Sequence, residues 1–249
     1  MATVTEIAEN VYRINVVLPG RRGTFSLFLI NDDLPTLVET SFGRVFDEVK
    51  EAVGNVLDPR ELRHIIVPHF EGDECGALKK FLDIAPNAVP VCSPTGASSV
   101  GDFAEQDPQT VVDGEVLCIG SRRLRFILTP YVHLWDSLVV YEETQGVLYS
   151  SDLFMQPGEG PPTTDQDLSD QMVESYRLGG LMPSMRHLHS ALDKLEPLLS
   201  ETPGIKTVAC HHGSVLTGNL EPYYRAIWEQ DFTGLPETAT YSGPNLMDE

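Results

Sequence analysis

The stretch His64-Ile65-Ile66-Val67-Pro68-His69-Phe70-Glu71-Gly72-Asp73-Glu74-Cys75-Gly76 decides how this chain folds. Ile65, Ile66 and Val67 are β-branched and favour a buried strand, and Pro68 ends its hydrogen-bonding ladder. His69, Glu71 and Asp73 then fall on the loop beyond the strand's C-terminal end, the edge where α/β sheets place their sites. Ligands at alternate positions converge only if the loop curls, and Gly72 and Gly76 permit that. A polar loop after any strand has a similar look, so the rest of the chain must supply the other ligands.

Further along, the same logic recurs three times: an apolar strand, then a ligand at its end. Phe126-Ile127-Leu128-Thr129-Pro130 leads to His133. Val147-Leu148-Tyr149-Ser150-Ser151 leads to Asp152. Ile205-Lys206-Thr207-Val208-Ala209-Cys210 leads to His211-His212-Gly213. A lone histidine after a strand says little. The ordered set His69, Glu71, Asp73, His133, Asp152 and His212, which could meet on one edge of the molecule, is a strong signal for a metal site.

Between these anchors the chain reads as strands followed by helices, in two passes. Short strands are expected within 5–18, at 25–30 and at 36–40, with a hairpin-like turn at Gly20-Arg21-Arg22-Gly23. Val45, Val49 and Val53 give 43–54 helical spacing, and helices are expected at 77–84 and 98–105, with a strand at 88–92. The second pass has strands at 111–112, 115–119 and 124–129, a hairpin from 138–141 and 147–150, a strand at 205–210, and helices at 171–199 and 221–228. The 171–199 helix is expected to break at Gly179-Gly180 and Pro183. The Pro/Gly-rich, acidic stretch 156–170 reads as a long surface loop, a lid or plain disorder, and 234–249 as a polar tail. Two packed sheets with helices outside fit this order.

Composition sets the outer bounds. The 249 residues, 41% of them hydrophobic, can build a proper core. Net charge is −20, from 37 acidic against 17 basic residues. That field repels phosphate backbones and anionic lipid, so no nucleic acid and no membrane is expected as a partner. Cys75, Cys92, Cys118 and Cys210 are scattered with no Cys-x-x-Cys pair, the usage of a reducing compartment. With no basic and apolar leader and no membrane-length apolar run, a soluble cytoplasmic protein is expected.

The pattern resembles the metallo-β-lactamase superfamily, and within it the diiron domain of the flavodiiron proteins. That family's ligand loop reads His-x-Glu-x-Asp-His, followed by separate His, Asp and His segments. Here His69-Phe70-Glu71-Gly72-Asp73-Glu74, His133, Asp152 and His212 stand in the same order, within matching contexts: Thr129-Pro130, Asp136-Ser137, Ser150-Ser151-Asp152 and His212-Gly213. The resemblance covers roughly residues 5 to 230. It implies a four-layered αββα sandwich over residues 1–233, followed by the 234–249 tail. It also implies two iron ions: one on His69, Glu71 and His133, the other on Asp73 and His212, with Asp152 between them. The superfamily's hydrolases usually carry His where this chain has Glu71. Zinc favours nitrogen and sulfur donors, whereas added carboxylates suit iron or manganese.

The chain departs from the family in two ways. Glu74 replaces the loop's second His. It can bind the second iron, hydrogen-bond to a water there, or face solvent. No Gly-rich phosphate loop is visible either, so no flavin is expected on this chain. The function implied is a non-haem diiron oxidoreductase that binds and reduces O2 or NO. Its electrons would come from an external donor such as a flavoprotein or a rubredoxin-like protein. The alternatives are a reversible O2-binding or sensing module, a dinuclear zinc hydrolase and a metal-free scaffold. The resemblance also suggests a homodimer. Phe70, Trp135 and Tyr176 are candidates to line the gas pocket. His211 only neighbours the His-Gly pair, His187 and His189 read as surface residues, His64 as structural, and Cys75 as a small buried residue.

Overall fold

The computed structural model describes residues 2–18 and 23–233. Most of the expected turn at Gly20-Arg21-Arg22-Gly23 and all of the 234–249 tail lie outside these residues. The first sheet holds β1 (Thr3–Ala8), β2 (Val11–Val17), β3 (Thr24–Ile30), β4 (Thr36–Val38), β5 (His64–Ile66), β6 (Val89–Cys92) and β7 (Gln109–Thr110), in sequential order. The second holds β8 (Val116–Cys118), β9 (Arg123–Leu128), β10 (Leu138–Glu142), β11 (Val147–Ser151), β12 (Thr163–Thr164), β13 (Thr207–Cys210) and β14 (Val215–Leu216). Its order is β12-β14-β13-β11-β10-β9-β8. The helices are α1 (Phe46–Gly54), α2 (Gly72–Cys75), α3 (Leu78–Ile84), α4 (Ala97–Ala104), α5 (Ser169–Gly179), α6 (Met185–Ser200) and α7 (Glu221–Glu229).

Three apolar layers hold these elements together. Phe28, Ile30, Val38 and Ile66 of the first sheet meet Phe126, Val140, Tyr149 and Ala209 of the second. On the outer face of the first sheet, Leu27, Leu37 and Ile65 pack against Val49 and Val53 of α1 and Phe81 of α3. On the outer face of the second, Val139, Leu148 and Val208 pack against Met172, Leu188, Leu192 and Ile227 of α5, α6 and α7. Alternate residues of one strand thus serve two cores, as the two-residue strand period requires. This is the expected four-layered αββα sandwich.

Topology brings the ligand-bearing strand ends to one edge. β4, β5 and β6 run parallel. β9 and β11 each run antiparallel to β10, and β11 runs parallel to β13. Main-chain bonds lace the two sheets there: Ser26 N donates to His211 O at 2.8 Å, and Leu138 N to Pro68 O at 2.9 Å.

Some segments differ in detail from the sequence reading. The 36–40 strand ends at Val38, because Glu39 and Ser41 take left-handed φ of 67° and 64° and turn the chain toward that edge. Such conformations cost roughly 1–3 kcal/mol in a non-glycine residue and cluster at functional sites. The 156–170 stretch is a surface loop but neither disordered nor a free lid. Thr163 and Thr164 pair in parallel with Val215 and Leu216, and Gln156 is buried. The 171–199 helix is split as expected, with Gly180 in the left-handed region at φ 59° closing α5. Among the described residues, no helix is long and apolar enough to cross a membrane.

Candidate metal centre

His69 and Glu71 follow β5, His133 follows β9, and Asp152 follows β11. Potential ligand atoms of these four lie within 4.8 Å of one another. Glu71 Oε2 is 3.1 Å from His69 Nε2 and 3.2 Å from His133 Nε2. Asp152 Oδ2 is 2.9 Å from His133 Nε2 and 3.7 Å from His69 Nε2. A second group, Asp73, His211 and His212, also closes to within 4.8 Å. Asp152 faces both groups, because its other oxygen, Oδ1, lies 3.5 Å from His212 Nε2.

His212 and His69 are held from behind. His212 Nδ1 donates to Thr24 O at 2.8 Å, so Nε2 keeps its lone pair and faces inward. Gly213 sits at φ +85°, where a Cβ would come within 2.6 Å of Gln156 Oε1, so the His212 turn needs a glycine. Arg13, buried, donates to Gly213 O at 2.6 Å. His69 Nδ1 lies 3.1 Å from both Glu74 Oε2 and Ser151 Oγ. Asp136 accepts from Phe70 N at 2.9 Å and pins the ligand loop.

The electrostatics belong to a crowded charged site. The His133 and His69 hydrogen bonds hold the Glu71 carboxyl at about 2, against the opposing effect of burial. Burial alone would lower the His133 pKa, but Asp152 and Glu71 outweigh it and raise it to about 10. Asp152 stays well below the usual carboxylate range despite its burial, because His133, His212 and His69 surround it. Glu74 is pushed well above that range, by burial first and then by Glu39 and Asp152.

Buried atoms at this edge without a hydrogen-bond partner include Asp152 Oδ1, His211 Nε2 and Glu39 Oε1. Buried polar atoms are nearly always satisfied, so such orphans beside converging carboxylates and imidazoles fit a cation. The donor set, oxygen-rich with imidazoles, fits iron or manganese better than a thiolate-preferring structural zinc.

The structure places His69, Glu71, Asp73, His133, Asp152 and His212 together along this edge. Glu74 does not face solvent, and it also comes within 4.8 Å of Glu39 and His211, the latter a member of the Asp73 group. It is buried, and its oxygens contact His69 Nδ1, His69 N and Ser151 Oγ. Tyr176 is core: its hydroxyl accepts at 2.7 Å from the N of Phe154, two residues after Asp152. Phe70 packs edge-on against Phe103, and Trp135 is 40% exposed. His187 and His189 are half-buried against Tyr131 and Trp228. His64 lies 3.4 Å from the Thr36 hydroxyl. Cys75 is buried, its thiol pushed up to about 12 by burial.

Sequence reasoning missed Glu39 and Ser151, and passed over His211. Glu39 carried a readable signal, a charged residue directly after the apolar Leu37-Val38, as in the other ligand segments. Ser151 carried none, because serine before a ligand is common.

The profile of the ODP family of beta-lactamase-like proteins matches residues 24–213. Flavo-diiron protein FprA2 of Clostridium acetobutylicum is 24% identical over 232 residues, covering 85% of this chain and 57% of that protein. A nitric oxide reductase of Moorella thermoacetica is 27% identical over 202 residues, covering 78% of this chain and 50% of its own length. The chain spans from about a third to just over half of the length of the curated relatives it matches. The flavodiiron protein of Giardia intestinalis superposes with a TM-score of 0.79 at 22% identity, over 91% of this chain and 58% of that one. Rubredoxin oxygen:oxidoreductase from Desulfovibrio gigas gives 0.76 at 21% identity, over 93% and 61%. At such identities the structural likeness concerns the fold. The family segment runs from Thr24, which holds His212, to Gly213, which turns the chain beside it, and so contains the whole constellation of carboxylates and histidines. The chain belongs to the ODP family of beta-lactamase-like proteins.

Proposed function

We propose that this chain forms a non-haem diiron centre that binds and reduces O2 or NO. The observation that carries this reading is Asp152, set between the His69-Glu71-His133 group and the Asp73-His212 pair, with one oxygen toward each. His69, Glu71 and His133 would hold one iron, Asp73 and His212 the other, with Asp152 shared. A reduced iron pair would supply two electrons and open coordination positions for a diatomic gas.

The residues around the pair have definable tasks. Glu71, 44% exposed in its side chain, lies at the mouth of the site and ionises readily, so it balances cation charge where the reactant enters. Thr24, Glu74 and Ser151 fix imidazole orientation, which limits reorganisation when a small ligand arrives. Further electrons come from a donor outside this αββα unit: a flavoprotein, a rubredoxin-like protein or another domain of the same polypeptide.

Glu71→Gln removes an anionic ligand while keeping its shape. It should weaken iron at the first position at least tenfold and abolish O2-dependent oxidation of the reduced protein. Stopped-flow absorbance after anaerobic loading measures both, and wild-type behaviour would rule out the role assigned to Glu71.

A second expectation concerns protons. In the metal-free chain His133 carries a proton at pH 7, since its pKa is raised to about 10. A cation takes the deprotonated ring, so metal and proton compete. Loading at pH 7 should release protons, and affinity should rise as pH increases toward 10. An indicator dye in weak buffer reads the release directly. Loading without proton release would contradict ligation by His133.

A further inference from the structure

We infer that His211 is an additional ligand of the second metal position, held by Glu39, and that it makes up for the missing second histidine of the ligand loop. The inference rests on the diiron reading above and deepens it. The loop has Glu74 where a second His would follow Asp73, and although Glu74 also lies within 4.8 Å of His211 and Glu39, both of its oxygens are engaged. One of its oxygens lies 3.1 Å from His69 Nδ1 and the other bonds Ser151 Oγ. The second position would otherwise have only Asp73 and His212 besides the shared Asp152, a thin set for an ion that must stay bound through turnover.

His211 fills that gap by geometry. Its side chain is fully buried, and its Nε2 has no hydrogen-bond partner. That atom lies 3.7 Å from Asp73 Oδ2, and His212 Nε2 lies 3.6 Å from the same oxygen. The two imidazoles therefore flank one carboxylate oxygen, as they would around a shared cation. The opposite nitrogen, Nδ1, is hydrogen-bonded to the buried carboxylate of Glu39. A carboxylate behind a histidine that ligates metal orients the ring and strengthens its donor nitrogen. His211 also cannot swing away. Its N donates to Ser151 O at 2.9 Å, its O accepts from Ser26 N at 2.8 Å, and the Phe25 ring packs edge-on against it. Each metal position then has three ligands of its own: His69, Glu71 and His133 for one, and Asp73, His211 and His212 for the other.

The test is metal binding, read without turnover. Wild type, His211→Ala and Glu39→Gln are loaded anaerobically with Fe(II) or Co(II), desalted, and assayed for metal content. Visible Co(II) spectra and 57Fe Mössbauer spectra follow. Wild type should keep two ions per chain. His211→Ala should keep one firmly and bind the second at least tenfold more weakly, with the spectral component of the second ion lost or shifted. Glu39→Gln should weaken the second ion in the same direction by about 10- to 100-fold, the scale of such supporting contacts. Glu39→Gln also decides the question if His211→Ala fails to fold. If wild type keeps two ions and both variants keep two with unchanged affinity and spectra, the role of His211 is overturned and the diiron reading stands. If wild type itself binds no ion pair, both fall.

Discussion

Asp152→Asn is expected to empty most of the centre, leaving less than one iron per chain where wild type holds two. Its carboxylate reaches both clusters, 2.9 Å from His133 Nε2 through Oδ2 and 3.5 Å from His212 Nε2 through Oδ1. Asparagine preserves the volume but not the charge, so two cations would face each other without the anion between them. Losing a contact behind a ligand costs about 10- to 100-fold in metal affinity, and losing the shared ligand itself should exceed that. Metal analysis after anaerobic desalting decides it. Two tightly held irons in Asp152→Asn would show that Asp152 does not join the pair.

Arg13→Met should be the most destabilising single change near the site, lowering stability by about 2–4 kcal/mol. Arg13 is buried on β2 and donates to Ser26 Oγ at 2.9 Å, Pro162 O at 3.0 Å, Asn15 Oδ1 at 3.0 Å and Gly213 O at 2.6 Å. It thereby ties the first sheet to both the 156–170 loop and the His212-Gly213 turn. Burial is costly for its charge and brings its pKa down to about 10, so methionine regains part of the loss. The Gly213 carbonyl, left with only the 3.5 Å contact from the Thr24 hydroxyl, outweighs that gain, because a poorly satisfied buried acceptor costs about 1–3 kcal/mol, whereas the Pro162 carbonyl keeps its bond from Val215 N. The melting temperature should fall by roughly 5–15 °C at this chain length. Arg13→Lys should recover only part of it, since one ammonium cannot span four acceptors. A melting temperature within about 2 °C of wild type would show that Arg13 does not tie the layers together.

The legible part of the fold was the part written in local pattern. β-branched runs ending in Pro or Gly marked the strands that carry ligands, and helical valine spacing marked α1. The site was legible for the same reason, since His69, Glu71 and Asp73 share the loop after β5 while His133, Asp152 and His212 come soon after β9, β11 and β13. What stayed hidden depends on tertiary approach. Nothing local to Arg13 says that it reaches Gly213, 200 residues away in sequence. Glu74 was ambiguous because whether α2 turns its side chain toward His69 or toward solvent depends on how the loop packs. His211 and His212 are adjacent, and strand alternation alone would send their side chains to opposite faces. The turn after β13 defeats that rule and brings both rings to Asp73.

On the proposed function, the carboxylates and histidines at this edge hold a redox-active iron pair. The most direct test is metal content of the anaerobically purified protein, with an optical spectrum before and after exposure to air. Two irons per chain and a new ferric charge-transfer absorption on exposure are expected. Reversal of that absorption on degassing would identify a gas carrier or sensor instead of a reductase. Two zinc ions, with no spectral change in air, would contradict the account and point to a dinuclear hydrolase.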